Sequence, residues 1–322
     1  MRSFAILLLT SVALSAQQAS ISGPVSGYVF DQSARALRPV LGFPGASLFG
    51  DPLGFGFDVS SAVVAPRLDA VFAVGTDGAS HIFRLNSGTL AERSVDGLAA
   101  SPDHVVFSPS GNAVVLSAGG SLEVIKGLPD SPAVAGGVDL TPGTVLDSLA
   151  VSDDGSVLLV SAGNTVRLYG SSSDMGKLMD TAGSALLAFA PGSHDAAVTD
   201  ASGAGLVLYR DLTGTGASQV IATPDDTIKA ASAVTFSNDG KTLLLASGAA
   251  QSVTAFDLTA GARNAIACSC APQSLARMGS LFRLNDFSSD PLWLLDTTPD
   301  QPRIVFVPAL AQTTASATVP AQ

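Results

Sequence analysis

One phrase of sequence recurs along this chain of 322 residues and limits what the chain can fold into. Its clearest copy spans residues 149–169 and reads LAVSDDGSVLLVSAGNTVRLY. Two apolar runs flank an Asp-Asp-Gly turn, and a small Gly-Asn break leads to a third apolar run. Glycine accepts the positive φ that other residues resist, so Asp-Gly between apolar runs predicts a tight hairpin. Each copy therefore predicts three or four short strands.

The phrase returns at a nearly regular interval. Further copies begin at Ser61, His104, Leu186 and Ser232. All five copies share one apolar position, at separations of 38 to 47 residues: Ala65, Phe107, Val151, Phe189 and Phe236. A period near 40 residues with several short strands per copy is typical of propeller blades rather than of a sandwich or barrel. One blade cannot bury its own faces, so the stacking of neighbouring blades drives the fold.

Two weaker copies, one at residues 26–42 and one at residues 273–296 plus 303–309, bring the number of units to seven. The sequence therefore predicts an all-β fold, a single β-propeller of seven blades with about four antiparallel strands each. Six or eight blades stay open because the copies at the two ends are weak. We also expect the last apolar run, RIVFVPA at residues 303–309, to pair with strands near the N-terminus and clasp the ring.

The phrases FSPSG…VVLSAGG and VSDDG…LLVSAGNTVRLY resemble the WD40-like and YVTN-type repeats of bacterial secreted β-propellers. The resemblance covers residues 61–258 well and both ends loosely, and it is specific for fold but nearly silent about function. The chain lacks the Trp-Asp strand ending and the Gly-His pair of the eukaryotic repeat. Lactonase-like bacterial propellers share YVTN-type repeats, so the resemblance also implies an alternative function, the hydrolysis of sugar lactones or related small molecules.

The N-terminus has the pattern of a secretory signal peptide. Arg2 precedes the apolar stretch FAILLLTSVALSA, residues 4–16, which ends in small residues. That stretch is too short to span a bilayer of about 30 Å comfortably, and no cysteine follows it for a lipid anchor. We predict a signal peptide at residues 1–16, a propeller domain at 17–310 and a disordered tail at 311–322. The mature protein is expected to be secreted or periplasmic and not inserted in a membrane.

The net negative charge of the chain limits the kinds of partner that it can bind. The formal net charge is −11, and no Lys/Arg cluster supplies the basic face that a nucleic-acid binder needs. Of the 27 acidic residues only Glu92 and Glu123 are glutamates, and an excess of Asp favours turns over helices. The sequence therefore argues against nucleic acid as a partner.

The loops where propellers commonly carry their function are poor in reactive groups. The breaks between the second and third runs read AGGS, AGNT, ASGAG and SGAAQS, and they contain almost nothing that acts as acid, base or metal ligand. The loops before the innermost runs are richer and carry Asp103, His104, Asp147, Ser148, Asp225 and Asp226. Converging Asp residues are suitable ligands for Ca²⁺, but Asp more often caps turns, and no run matches the D-x-[DN]-x-[DN]-G spacing. We therefore expect no cofactor, with Ca²⁺ as the alternative.

Histidine and serine give no catalytic motif. His81, His104 and His194 fall at non-equivalent positions of different copies, without the paired spacing of a zinc site. No G-x-S-x-G elbow supports a nucleophilic serine. The sequence assigns no catalytic residue, no cofactor-binding residue and no metal ligand.

Cys268 and Cys270 are the only cysteines, and export favours their oxidation. Three interpretations stay open: a strained local disulfide in a loop, a thiol pair that binds a soft metal, or two buried small residues. We favour the disulfide. The only tryptophan, Trp293, is expected to pack between the last blade and its neighbour.

These features favour an exported, non-catalytic module of the cell envelope that binds a protein or peptide on the propeller rim, or serves as a scaffold. We expect it to be a monomer. The alternative is a lactonase-like hydrolase with a metal site at the central channel, for which the weak first and last copies would have to supply the ligands.

Overall fold

A computed structural model shows a seven-bladed β-propeller, which confirms the predicted fold class. The structure describes residues 23–200, 205–214, 216–225, 228, 231–299 and 301–310. The predicted signal peptide and tail, and Asp226, lie outside these residues. None of the described residues belongs to a helix of the length and apolar character needed to cross a membrane.

The first four blades come in chain order, and each sheet is antiparallel. Their strands are, for blade 1, β1 (Val25–Asp31), β2 (Ala36–Phe43) and β3 (Ala46–Phe49); for blade 2, β4 (Val59–Val64), β5 (Ala70–Gly75), β6 (Ser80–Asn86) and β7 (Thr89–Arg93); for blade 3, β8 (His104–Phe107), β9 (Ala113–Ala118), β10 (Ser121–Lys126) and β11 (Ala133–Asp139); and for blade 4, β12 (Ser148–Val151), β13 (Val157–Ala162), β14 (Thr165–Gly170) and β15 (Asp174–Asp180).

The last three blades repeat the same order. Their strands are, for blade 5, β16 (Leu186–Phe189), β17 (Ala196–Asp200), β18 (Gly205–Tyr209) and β19 (Ser218–Ala222); for blade 6, β20 (Ala231–Phe236), β21 (Thr242–Ser247), β22 (Ser252–Asp257) and β23 (Arg263–Ala267); and for blade 7, β24 (Ala276–Met278), β25 (Leu281–Arg283), β26 (Leu292–Asp296) and β27 (Arg303–Val307). In blades 2 to 7 the first strand lies innermost and the fourth outermost.

The Asp-Gly turn of the repeated phrase is closed by one set of hydrogen bonds. In blade 4, Ser152 Oγ donates to Asp154 Oδ1 at 2.7 Å, and Gly155 takes a φ of +63°. In blade 6, Ser237 Oγ donates to Asp239 Oδ1 at 2.6 Å in the same place. Hydrogen bonds between side chains of the turn itself therefore stabilise it, and these two copies of the phrase form the same hairpin.

The core lies between the blades. On β13, Leu158 packs with residues of blade 3 and Leu159 with residues of blade 5, because successive side chains of a strand point to opposite faces. Both leucines are fully buried. Each contributes about 1.5–3 kcal/mol of transfer free energy, so every regular blade stabilises both of its neighbours.

Blade 1 departs from this pattern, because β1 runs opposite to the innermost strands of the other blades. Gly27 near its start contacts the side chain of Met278 at the end of β24. Asp31 at its end borders a groove with Phe287, in the loop between β25 and β26. The three strands therefore correspond to the second, third and fourth strands of a complete blade. No innermost strand of blade 1 is present among the described residues.

The expectation that RIVFVPA would pair with N-terminal strands is wrong. Its strand β27 pairs with β26 inside blade 7, from Leu292↔Val307 to Asp296↔Arg303. A short connection and the cross-strand contact of Trp293 with Phe306, whose rings lie 5.4 Å apart, favour this local hairpin. The ring closes instead by packing of β27 against β3.

Candidate functional site

An apolar cavity of about 290 Å³ lies on the propeller axis. The innermost strands of blades 2 to 7 form its wall, and four of the positions that define the sequence repeat belong to it: Phe107, Val151, Phe189 and Phe236. The turns that follow these strands contribute Pro66, Pro109 and Pro191 at one end. The repeat therefore builds the cavity as well as the blades.

Arg277 is the one charged residue among the described residues that line the cavity. Its Nη1 donates to the carbonyl oxygen of Pro109 at 2.9 Å, and its Nε donates to the carbonyl oxygen of Gly279 at 3.1 Å. The first of these bonds joins blade 7 to blade 3 across the end of the channel. Burial lowers the pKa of Arg277, nearby Asp153 raises it and nearby Arg67 lowers it. An arginine nevertheless stays protonated in proteins, so this end of the cavity is cationic.

Asp153 near Arg277 serves to connect blades. Its Oδ1 accepts the Ser110 N–H of blade 3 at 2.5 Å, and its Oδ2 accepts the Gly192 N–H of blade 5 at 2.7 Å. Both carboxylate oxygens are thus used by backbone donors of the flanking turns. The residue is placed by the Asp-Gly turn of blade 4 and ties three consecutive blades together.

The predicted polar residues at the opposite end lie at strand starts. The N–H groups of Asp103 and Asp147 donate to Ser117 and Ser161 carbonyls, at 2.7 and 2.8 Å, and so extend the innermost pairings. Ser148 Oγ donates to a loop carbonyl at 2.5 Å. Asp225 accepts from Arg263 Nη1 at 2.6 Å in an ion pair. Among the described residues, no group of three or more His, Cys, Asp or Glu is placed to hold a metal ion.

The structure does not bring the three histidines together. His104 begins β8 on the axis, paired with Ser117. His81 lies on blade 2, with its Nδ1 2.7 Å from Glu92 Oε1 and its ring 4.4 Å from that of Phe57. His194 lies in the turn between β16 and β17, in contact with blade 4. The three side chains therefore form no common site.

Asp154, Ser156 and His194 meet between blades 4 and 5, but their order differs from that of a catalytic triad. Asp154 and Ser156 Oγ both contact His194 Nε2, at 3.2 Å, whereas Nδ1 contacts Thr213 Oγ1 at 3.0 Å. A triad requires the carboxylate on the ring nitrogen opposite the serine. Burial raises the pKa of Asp154, but hydrogen bonds from Ser156, Ser152 and His194 together hold it well below its usual range.

Cys268 and Cys270 adjoin the end of β23, and the structure pairs them with Cα atoms 5.0 Å apart. That separation lies in the ordinary range for a disulfide. Cys268 is buried against the interface between blades 6 and 7, and the bond itself stays a prediction. Trp293 packs at that same interface, between the last blade and its neighbour, in agreement with the sequence.

Sequence reasoning missed Arg277 and the cavity. A signal for the arginine exists in the repeat: in LARMGS of blade 7, Arg277 occupies the position held in other copies by Val64, Val106, Ala150 and Ala188. A basic residue at a position that is apolar in other copies indicates a functional side chain on the innermost strand.

The fold and the axial cavity define the chain as a seven-bladed β-propeller. No protein-family model matches the sequence, and no curated protein matches it. Among solved structures, the chain is similar to a protein of unknown function from Desulfotomaculum acetoxidans, with 14% identity, a TM-score of 0.56, and coverage of 87% of this chain and 94% of that one. It is also similar to a candidate 6-phosphogluconolactonase from Bacteroides fragilis, with 15% identity, a TM-score of 0.58, and coverage of 88% and 95%. These similarities show the fold alone.

Proposed function

We propose that this protein is an exported, non-catalytic binding module of the cell envelope that takes a protein or peptide partner on the propeller rim, with one segment of that partner entering the axial cavity. One observation carries the proposal: the axial cavity has apolar walls, and Arg277 is the one charged group among its described lining residues. The chemistry this favours is an apolar segment that carries a carboxylate, since a guanidinium forms strong charge-assisted hydrogen bonds with that group.

The lining of the cavity supports binding better than catalysis. General acid–base chemistry needs a group that gains and loses a proton near the working pH. Arginine does not do so, and its two bonds to Pro109 and Gly279 carbonyls fix its position without neutralising it. The rest of the proposal comes from the sequence: export by the N-terminal segment, WD40-like and YVTN-type repeats, a monomeric state and no bound cofactor.

Binding of short peptides tests the proposal. The probe is a fluorescently labelled Ala-Val-Val-Ala peptide, prepared with a free or an amidated C-terminus. We expect the free acid to bind more tightly, and Arg277→Gln to weaken it by about tenfold, the effect of one charge-assisted bond. Arg210→Gln is the matched control, because Arg210 is paired with Asp195 on an exposed surface. Equal affinities of the two peptides, or equal effects of the two variants, would contradict the proposal.

The alternative function is lactone hydrolysis, and the fold similarity to the candidate 6-phosphogluconolactonase supports it. It requires a metal site at the channel. The melting temperature in EDTA and in millimolar Ca²⁺ separates the two proposals, since a cation that binds only the folded state raises it. A clear rise with Ca²⁺, together with turnover of 6-phosphogluconolactone, would favour the hydrolase. Identical melting curves and no turnover would favour the binding module.

A further inference from the structure

The two cysteines differ in their access to solvent, although only one residue separates them. Cys268 is 7% exposed and belongs to the core between blades 6 and 7. Cys270 is only partly buried, and the residues on both sides of it, Ser269 and Ala271, are exposed. A reagent in solution therefore reaches the cysteine pair at Cys270.

A disulfide between these residues would add little to the stability of the folded protein. It would link positions two apart in sequence and enclose a single residue, Ser269. A disulfide stabilises a protein mainly by restricting the unfolded chain, and this effect decreases with the length of the loop that it closes. Bonds that stabilise the fold strongly resist reduction, whereas exposed bonds with little such effect are the labile ones. The short loop therefore favours a bond that opens readily.

The equivalent loops of other blades reach the same arrangement without a disulfide. Leu140 and Thr181 are the first residues after the outermost strands of blades 3 and 4, as Cys268 is in blade 6. All three are buried. Each donates its N–H to a carbonyl oxygen in the turn between the second and third strands of its own blade, at 2.8 Å. The architecture thus places this position without help from sulfur.

Hydrogen bonds also hold the loop on the other side of the cysteine pair. Ser232 Oγ donates to the Pro272 carbonyl oxygen at 2.7 Å. The Gln273 N–H donates to a carbonyl oxygen in the loop after β25, at 2.8 Å. None of these bonds uses a sulfur atom, so they persist whether the thiols are free or bonded. The loop therefore keeps its place when the S–S bond opens, and the reaction does not require unfolding.

We propose that Cys268 and Cys270 form a thiol–disulfide exchange site that reacts with small thiols and small disulfides while the protein stays folded. The thiolate of a small thiol attacks Sγ of Cys270, the S–S bond breaks, and Cys268 leaves as a thiolate that takes up a proton. A second small thiol then attacks the small thiol's own sulfur in the mixed disulfide and releases Cys270 as a thiol.

The electrons and atoms of this exchange balance. Two small thiols lose two electrons and two protons and become one small disulfide, while the cysteine pair gains both electrons and both protons. The reverse sequence, with a small disulfide as the oxidant, restores the bond. Because export is predicted and an oxidising compartment favours disulfides, we expect the pair to begin in the oxidised form.

This site is separate from the one on which the proposed function rests. Neither cysteine is among the described residues that line the axial cavity. Thiol counts and thiol reaction rates measure the exchange without any peptide ligand or lactone. The exchange site and the proposed function therefore succeed or fail independently.

Equilibration of the folded full chain in mixtures of reduced and oxidised glutathione tests the exchange. After acid quenching and alkylation, mass spectrometry counts the thiols, and circular dichroism of the same samples reports the fold. We expect the count to change from none to two as the mixture becomes reducing, with an unchanged spectrum and a melting temperature lowered by less than about 5 °C. A pair that becomes reducible only when urea unfolds the protein would overturn the proposal. Two free thiols in the oxidising mixture would also overturn it.

Two matched variants test which sulfur is attacked. Cys268→Ser leaves the accessible Cys270, and Cys270→Ser leaves the buried Cys268, so the same chemical change is made twice in one loop. We expect dithiodipyridine, a small uncharged disulfide, to react with folded Cys268→Ser at least about tenfold faster than with folded Cys270→Ser. The two rates should become equal in urea. Equal rates in the folded variants, or a faster reaction of Cys268, would overturn the assignment of Cys270 as the sulfur attacked.

Discussion

Blade 4 and blade 1 show two ways in which this chain builds a blade. Blade 4 has four described strands, a turn closed by Ser152 and Asp154, and a second strand with leucines buried on both faces. Blade 1 has three described strands, and a buried carboxylate holds its first turn. Asp31 accepts from Ser33 at 2.6 Å and from Arg38 Nε at 2.5 Å. Both blades bury apolar side chains between their neighbours, but blade 1 also has a buried charged pair at its first turn, which blade 4 lacks.

Blade 7, which packs against blade 1 through β27 and β3, also has a buried Asp–Arg pair. Asp296 is buried, accepts the Thr298 hydroxyl at 2.5 Å and pairs with Arg303 at 3.1 Å. In both blades the arginine follows the aspartate by seven positions. In blades 1 and 7, where the copies of the repeated phrase are weak, a buried aspartate and an arginine join the two strands of a hairpin.

The largest expected loss of stability comes from replacing one buried leucine by alanine in blade 4 or in blade 1. Leu159→Ala in blade 4 should destabilise the protein by about 4 kcal/mol, because flanking blades hold the cavity open. Leu37→Ala in blade 1 removes an equally buried leucine. We expect it to cost about 2–3 kcal/mol, since blade 1 has three described strands instead of four and fewer strands hold the space open. Urea unfolding of both variants measures the difference. Equal costs would show that the two blades are equally rigid.

The polar network of blade 1 gives the second prediction. Asp31→Asn should cost about 3 kcal/mol at pH 7, because it leaves the partly buried Arg38 without its charged partner. Asp174→Asn is the control: its pair with Arg167 is exposed and screened by solvent, so the change should stay below about 1 kcal/mol. Chemical denaturation of the two variants measures the free energy of unfolding that each substitution removes. A similar loss in both would mean that the buried network has no special role.

The pH dependence of this effect has a definite sign. Burial raises the pKa of Asp31, but hydrogen bonds from Ser33, Arg38 and Ala34 and the Arg38 charge together lower it. A carboxylate with a lowered folded pKa stabilises the protein above its unfolded pKa, about 3.9, and loses this contribution as pH falls below that value. The stability gap between native protein and Asp31→Asn should therefore shrink from pH 7 to pH 3. A gap that is constant with pH would contradict the assignment.

The fold was predictable because its signal is repeated. Ser, Asp and Gly in the turn and apolar residues in the strands act locally, so five copies of the phrase indicate the same hairpin. Blade 1 could not be placed in this way, because β1 matches the second strand of the phrase and the described residues contain no innermost strand for this blade. For the same reason the clasp by residues 303–309 was predicted wrongly, as cross-strand contacts of Trp293 and Asp296 with β27 were not visible from the phrase.

The candidate site was harder to predict than the fold. The cavity exists only after six innermost strands converge, and no single copy of the phrase encodes a concave surface. Arg277 is one substitution against the repeat, and its role depends on a carbonyl of Pro109 that is 168 positions away in sequence. Candidate ligands chosen by residue type, such as Asp103 and Asp147, proved to lie at the starts of strands, where their backbone groups extend the sheet.

The turn of blade 4 provides the fourth prediction. Asp153→Ala removes acceptors from the N–H groups of Ser110 and Gly192 and should cost about 2 kcal/mol. Asn238→Ala changes the equivalent position of blade 6, where the amide makes one long bond of 3.4 Å to Gly279, and should cost less than about 1 kcal/mol. Thermal unfolding of both variants measures which substitution lowers the melting temperature more. The reverse order would show that the turn of blade 6 connects neighbouring blades more strongly than the turn of blade 4.

The smallest expected effect concerns the cysteines beside blade 7. Thiol labelling of the unfolded, unreduced protein should find neither Cys268 nor Cys270 free, and labelling after reduction should find both. The bond closes a very short loop, so it restricts the unfolded chain little, and replacing both cysteines by alanine should cost at most about 1.5 kcal/mol. This loss of stability is smaller than the one expected for Asp31→Asn. The disulfide links two residues of one loop, whereas Asp31 joins strands β1 and β2 of blade 1. Free thiols before reduction would leave the two residues as buried side chains at the interface between blades 6 and 7.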